Sequence, residues 1–231
     1  MRLIDETYTQ CPFYGARRMS AHLGREGYCI GRKRAGKLMR TMGLEACYPK
    51  PNLSIPNKEN KIFPYLLRDV EITQVDQVWS TDITYVRLFH GFVYLVAIID
   101  WYSRYVLGWS ISPSLEAGFC VETLENALLK GKCDIFNTDQ GSQFTSKEFT
   151  NTLLLADIEI SMDGRGRALD NVFVERLWRS VKYECIYLRE FMTVAEVKEA
   201  IKKYFLFYNN ERPHQSLKYK TPAEVYFGKL I

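Results

Sequence analysis

Three runs rich in Val, Ile, Tyr, Phe and Trp follow one another with almost no chain between them, at residues 77–88, 92–100 and 103–111. Side chains of these types suit the pleated, half-buried surface of a strand. The turns at His90-Gly91 and Tyr102-Ser103 are far shorter than a parallel crossover requires, so consecutive runs must lie antiparallel, as a meander. Beyond the meander the period changes. Leu115, Phe119, Val121, Leu124 and Leu128 recur at helical spacing within residues 114–130, and residues 134–138 return to strand. Ser146 stands where it can cap a helix that buries Phe149, Leu153 and Leu154, and residues 158–161 form a last short strand. The expected architecture is α/β, a mixed five-stranded sheet flanked by helices.

Two of these runs carry a carboxylate to the sheet edge. Asp82 closes the stretch Val78-Trp79-Ser80-Thr81-Asp82, and Asp139 lies where the run at 133–136 gives way to Gly141-Ser142. A buried strand delivers a side chain to the rim of a sheet in this way. A third acid, Glu175, falls on a helix expected over residues 169–188, with Asp170 or Asn171 as its N-cap. Between Asp139 and Glu175 lie 35 residues. Three acids from three elements suit a pair of divalent ions such as Mg²⁺, which take oxygen ligands and keep other positions for water and phosphate. Repulsion among them predicts that, without metal, at least one has a raised pKa.

Asp82, Asp139 and Glu175 at this spacing resemble the Asp-Asp-35-Glu triad of retroviral-type integrases and bacterial transposases. The surrounding segments narrow the resemblance. WSTDITYV at 79–86, IIDWYSRYVLGW at 98–109, TDQGSQFTS at 138–146, LDNVFVERLWRSVKYE at 169–184 and YNNERPHQSLKYKTPAEVY at 208–226 are similar, in order, to the signature blocks of the insertion-sequence-3 family of transposases, in its catalytic OrfB-type product. The resemblance covers nearly the whole chain. It implies a ribonuclease-H-like integrase core whose first strand is central, placing Asp82 beside the end of the strand that carries Asp139. It also implies two Mg²⁺ (or Mn²⁺) ions, one shared by Asp82 and Asp139 and the other by Asp82 and Glu175. The implied reaction is nicking at the ends of an element, then strand transfer by the freed 3′-hydroxyl through a circular intermediate. Three features depart from the family pattern. Asn137-Thr138 stand where His-Ser is usual before the second acid, Val172 stands where a small residue is common, and the N-terminus looks short. The upstream-frame product is therefore an expected partner, and a catalytically incompetent DNA-binding remnant is the alternative reading.

The net charge of +4 is unevenly spread: residues 1–61 carry 12 Lys/Arg against 5 Asp/Glu, and residues 62–231 carry 19 against 22. Attraction for a polyanion is thus concentrated in the N-terminal part. There, residues 14–45 read as two short helices around a glycine-containing turn. The first presents Ala16, Met19 and Leu23 inward; the second presents Ala35, Leu38, Met39 and Met42 inward and Arg32, Lys33, Arg34, Lys37 and Arg40 outward. This helix-turn-helix pattern suits double-stranded DNA and defines a module over residues 1–46. Pro49, Pro51, Pro56 and Pro64 predict an extended linker over 47–70, leaving 71–231 for the catalytic core and a C-terminal helical extension from about residue 193.

Further candidate DNA contacts are Arg165 and Arg167, in a loop at 162–168 that reads equally as a solvated surface loop, and Arg179 and Lys182, at i+4 and i+7 from Glu175. His214 reads as a structural residue that bonds the tail to the core. The six scattered cysteines have no zinc-ligand spacing and read as reduced thiols. The longest apolar run, 92–99, is too short to span a bilayer. The expected setting is the bacterial cytoplasm and its nucleoid, with no membrane partner and a homo-oligomer assembled on DNA. A ribonuclease-H-type nuclease acting on RNA–DNA hybrids would share the fold and metals, but the basic helix-turn-helix argues against it.

Overall fold

The computed structural model describes residues 1–47, 61–164 and 171–228. The chain divides into two compact units, Met1–Ile55 and Pro56–Ile231.

The N-terminal unit contains helices α1 (Arg2–Gln10), α2 (Ala16–Arg25) and α3 (Arg32–Thr41). Ile4, Met19, Leu23 and Met39 form its core. Sequence patterning predicts only α2 and α3. Helix α1 is polar along most of its length and buries just Ile4 and Thr7, a stripe too narrow to register as helical periodicity. Helix α3 ends where Gly43 turns to φ 68°. There the Leu44 N–H bonds the Met39 carbonyl and the Gly43 N–H the Arg40 carbonyl, a paired closure that needs a left-handed residue and so favours glycine.

The larger unit is built on a five-stranded sheet of β1 (Val78–Arg87), β2 (Phe92–Asp100), β3 (Val106–Ser112), β4 (Ile135–Thr138) and β5 (Glu159–Met162), in the order β3-β2-β1-β4-β5. β1–β2 and β2–β3 pair antiparallel, β1–β4 and β4–β5 parallel. The expected meander and the central first strand are therefore both present. Side chains of β2 alternate between the faces, as the two-residue strand period demands: Val93, Leu95, Ala97 and Ile99 enter one core, Val96 and Ile98 the other. Helices α4 (Gly118–Leu128) and α5 (Lys147–Leu155) cover the second face; α6 (Val172–Val181) and α7 (Val194–Asn210) cover the first. Ser146 caps α5 as expected, accepting from the Phe149 N–H.

Three details depart from the sequence reading. The helix expected to run on to residue 188 changes to wider π-type turns over Lys182–Ile186. A register shift at Ile98/Ile99 places an extra residue in β3, so Val106 packs on one face and Leu107 on the other. Finally, the linker expected over 47–70 falls largely outside the described residues, and its described end is bound to the core. The Leu66 N–H bonds Ser161 Oγ, and Leu67 is buried beside Val78 and Trp101. The chain closes with α8 (Pro222–Tyr226), started by a reciprocal Thr221–Glu224 cap and anchored by Tyr226, whose hydroxyl donates to Asp76 and whose ring stacks on Tyr105. No helix among the described residues is long and apolar enough to cross a membrane.

Candidate active site

The parallel pairing of β1 with β4 brings two of the acids together. Val78 lies opposite Ile135 and Ser80 opposite Asn137; continuing that register by two residues places Asp82 beside Asp139. Glu175 arrives from the first turn of α6, where the helix dipole favours a negative charge. Two side chains hold this helix against β1. The Asn171 amide donates to the Thr81 carbonyl (3.2 Å) and Trp178 Nε1 donates to Asp82 Oδ2 (3.0 Å). Asn171, Glu175 and Trp178 are spaced i−4, i and i+3, so one face of α6 carries both the acid and its braces. Asn171 does stand at the N-cap position, but its side chain does not cap the helix; it braces β1 instead. Asp170 lies outside the described residues.

Asp139 begins a tight turn. Its Oδ1 accepts from the Gly141 N–H at 2.8 Å, which fixes the carboxylate. A Cβ on Gly141 would stand 2.8 Å from that Oδ1, closer than real contacts allow. Gly141→Ala should therefore turn the Asp139 carboxylate aside. Misplacement on the ångström scale costs about 10²-fold, so we expect a loss of that order in DNA cleavage with little change in melting temperature; an alanine variant of wild-type activity would show that the turn does not position the acid.

One of the departures that precede Asp139 has a structural role. Asn137 Nδ2 donates to Asp163 Oδ1, and Gln140 Nε2 donates to the Asp163 carbonyl, so the segment leaving β5 is tied beside the acid.

The electrostatics bear the mark of gathered carboxylates. Burial pushes the Asp82 carboxyl up to about 6, with repulsion from Asp139 and Glu175 adding to it and the Ile83 amide and Trp178 bonds opposing it. Asp139 is also raised by burial, against its bond from Gly141. A raised carboxyl pKa means that the native state binds the proton more tightly than the unfolded chain does. The metal-free protein thus loses stability as the pH rises from about 4 to about 6 and does not regain it above. A shift of about two units corresponds to about 3 kcal/mol. Asp82→Asn should raise the melting temperature in EDTA at pH 7 by several degrees and leave it nearly unchanged at pH 4; no gain at pH 7 would contradict the buried charge.

Among the described residues no three ligand-type side chains converge tightly enough to hold a single ion. The donor set nevertheless fits a hard divalent cation. All three groups are carboxylates, and none is engaged by a Lys or Arg in an ion pair among the described residues.

The expected DNA contacts divide. Arg32, Lys33, Arg34, Lys37 and Arg40 are all exposed on α3, and four of them, all but Arg34, line a concavity of about 620 Å³ in the N-terminal unit. Arg165 and Arg167 lie outside the described residues. Arg179 and Lys182 fall within about 40° of Glu175 at about 100° per residue, on its side of the helix, but they line different clefts. Arg179 faces a cleft with Arg104, Arg176 and Arg212, and Lys182 faces another with Tyr85, Arg87 and Phe92. Sequence reasoning missed Trp178 and Asn171, whose spacing from Glu175 was the available signal.

Comparison with known proteins bears on the fold and the family. The integrase core domain family matches residues 72–168 and a second integrase core family residues 156–222, while an HTH-like domain family matches residues 1–52. The chain is 34% identical over 225 residues to the transposase for insertion sequence element IS904 of Lactococcus lactis, covering 91% of this chain and 86% of that protein. It is 32% identical over 228 residues to the transposase for IS629 of Shigella sonnei, covering 97% and 76%. Among solved structures, the simian T-cell lymphotropic virus intasome chain aligns over 95% of this chain and 72% of its own with a TM-score of 0.60 at 15% identity. The HTLV-2 integrase catalytic core aligns over 68% and 98% with a TM-score of 0.50 at 20% identity. At such identities the structures establish the ribonuclease-H-like integrase fold, and the sequence relatives establish the lineage: this chain belongs to the insertion-sequence-3 family of transposases.

Proposed function

We propose that this chain cuts DNA at the ends of an insertion sequence and transfers the freed 3′ ends, with Asp82, Asp139 and Glu175 as the carboxylates that hold two Mg²⁺ or Mn²⁺ ions. The observation that carries this reading is the meeting of Asp82 with Asp139 across the β1–β4 register, with Glu175 close enough to repel the Asp82 charge. When bound, such ions lower the pKa of the attacking hydroxyl or water and offset charge on the leaving 3′-oxygen. The chain's own residues do the positioning. Trp178 engages one oxygen of Asp82, and the Gly141 amide one oxygen of Asp139. Asn171 sets the height of Glu175 against β1. No covalent link between protein and DNA is needed.

In this scheme α3 reads duplex DNA with its exposed cations, and the protein works as a multimer on DNA in the bacterial cytoplasm, at the nucleoid, with the upstream-frame product as a partner. The test is cleavage of a duplex carrying the element's terminal repeat. Nicking at the repeat boundary in Mg²⁺ or Mn²⁺ that disappears in EDTA supports the reading. Metal-independent cutting, or cutting with no preference for the boundary, would overturn it.

A further inference from the structure

The chemistry of the three acids leaves one cluster of cations outside it. Arg104, Arg176, Arg179 and Arg212 line a cleft of about 620 Å³ between α6 and the C-terminal tail. It is continuous, through Arg104, Phe173 and Ser216, with a second concavity of about 640 Å³ that adds Lys218 and Lys220. The two carboxylates in the trough are already committed. Glu184 takes two bonds from Arg212 (2.6 and 2.8 Å) and one from the Tyr204 hydroxyl, and Glu224 accepts from the Thr221 N–H at the start of α8. His214 adds no charge near neutral pH, because burial and the neighbouring arginines hold it down at about 4. Arg176, Arg179, Lys218 and Lys220 have no carboxylate partner among the described residues.

Arg104 is the most unusual of the set. Its backbone stands at φ 65°, a conformation that costs an L-residue about 1–2 kcal/mol. Its guanidinium lies 3.9 Å from the Phe173 ring centre, and its Nη1 is buried with no hydrogen-bond partner among the described residues. An arginine kept in a strained turn, stacked on an aromatic ring and with a buried donor unused by the described residues is suited to an anionic partner. Guanidinium forks match phosphate oxygens two at a time. Two adjoining concavities of about 620 and 640 Å³ hold more than a single small ion and suit a run of backbone phosphates.

We propose that this trough is a second DNA-backbone site, which holds a phosphodiester strand of duplex DNA along α6, the helix that carries Glu175, and is built by the tail segment that Arg212 and Glu184 latch onto α6. The inference needs only that the family's substrate is DNA; it does not depend on the metal chemistry of the three acids. The strand belongs either to the element's end or to the target duplex.

The test is therefore made without metal. Binding of the full-length protein to a terminal-repeat duplex and to an unrelated duplex is measured by fluorescence anisotropy in EDTA, across a salt series. Arg176 is exposed, so Arg176→Gln should fold normally, which circular dichroism checks. It should bind roughly three- to tenfold more weakly at moderate salt, with a salt slope reduced by about 1; Arg176→Lys should restore most of the slope. Ser216→Asp, which places a negative charge in the trough without removing a cation, should weaken binding in the same sense, whereas Lys198→Gln on the outer face of α7 should not. Equal losses on both duplexes assign a sequence-blind backbone contact, loss confined to the repeat assigns the element's end, and loss confined to the unrelated duplex assigns the target. Unchanged affinity and slope for both Arg176→Gln and Ser216→Asp would overturn the proposal, while leaving the reading of the three acids untouched.

Discussion

Asp139→Asn should reduce metal-dependent nicking by about 10³-fold or more and leave duplex binding within about twofold of wild type. The substitution is nearly isosteric. The asparagine oxygen can still accept from the Gly141 N–H, as Oδ1 does at 2.8 Å, so the turn survives and only the charge goes. A carboxylate that binds a catalytic cation contributes several kcal/mol to the transition state, and about 4 kcal/mol corresponds to about 10³ in rate. Asp82→Asn should lose activity on the same scale while gaining stability in EDTA, because its burial holds the carboxyl up at about 6. Lower activity with higher stability is the signature of a charge gathered for function. Nicking of a labelled terminal-repeat duplex, resolved on a denaturing gel, provides the measurement. An Asp139→Asn protein cutting within about tenfold of wild type would remove this residue from the reaction.

The parts of this picture that were legible in the sequence are those with a local cause. Short turns force the meander, Ser146 announces α5, and the end of β4 marks Asp139, whereas Asp82, read as the close of an apolar stretch, lies in mid-strand on β1. The parts without a local cause depend on which strands become neighbours, and for these the family resemblance, not the residue pattern, carried the expectation. Nothing local specifies that β4 enters beside β1 rather than at an edge, yet that choice alone places Asp139 next to Asp82. Asn171 shows the same limit: it looks like a helix cap, and only the approach of β1 offers its amide the Thr81 carbonyl instead. Glu175, Arg179 and Lys182 read as one stripe on an ideal helix, but Arg179 and Lys182 face separate clefts on either side of Glu175, at the point where α6 gives way to wider turns. The tail is harder still. Arg104 and Arg212 lie 108 positions apart in sequence and meet in one trough only after α7 has crossed the sheet.

What keeps that tail in place is a residue with no obvious chemistry. β3 is an edge strand, and an edge presents N–H and C=O groups that invite pairing with another chain. Near the start of β3, the Val106 N–H and C=O are taken by the side-chain amide of Asn209, at 2.9 and 3.0 Å, which acts as one residue of a sixth strand. Both residues are buried, so Asn209→Ala leaves two backbone groups unsatisfied. At about 1–2 kcal/mol for each lost bond, the catalytic unit should lose about 2–4 kcal/mol, a fall of roughly 5–15 °C in melting temperature for a domain of this size. Asn209→Asp distinguishes bonding from simple packing. Its carboxylate can still accept from the Val106 N–H but must face the Val106 carbonyl, so at pH 7 it should be at least as damaging as alanine. Folding with this carboxyl buried against a carbonyl raises its pKa, so the deficit should shrink as the pH falls toward about 4 and the protonated acid becomes a donor. Melting temperatures of both variants within about 1 °C of wild type would show that the edge is held by packing alone. A large loss in both would place the anchor of the Arg212 segment three residues ahead of it, at the sheet edge, and would link the order of the cationic trough to the stability of β3.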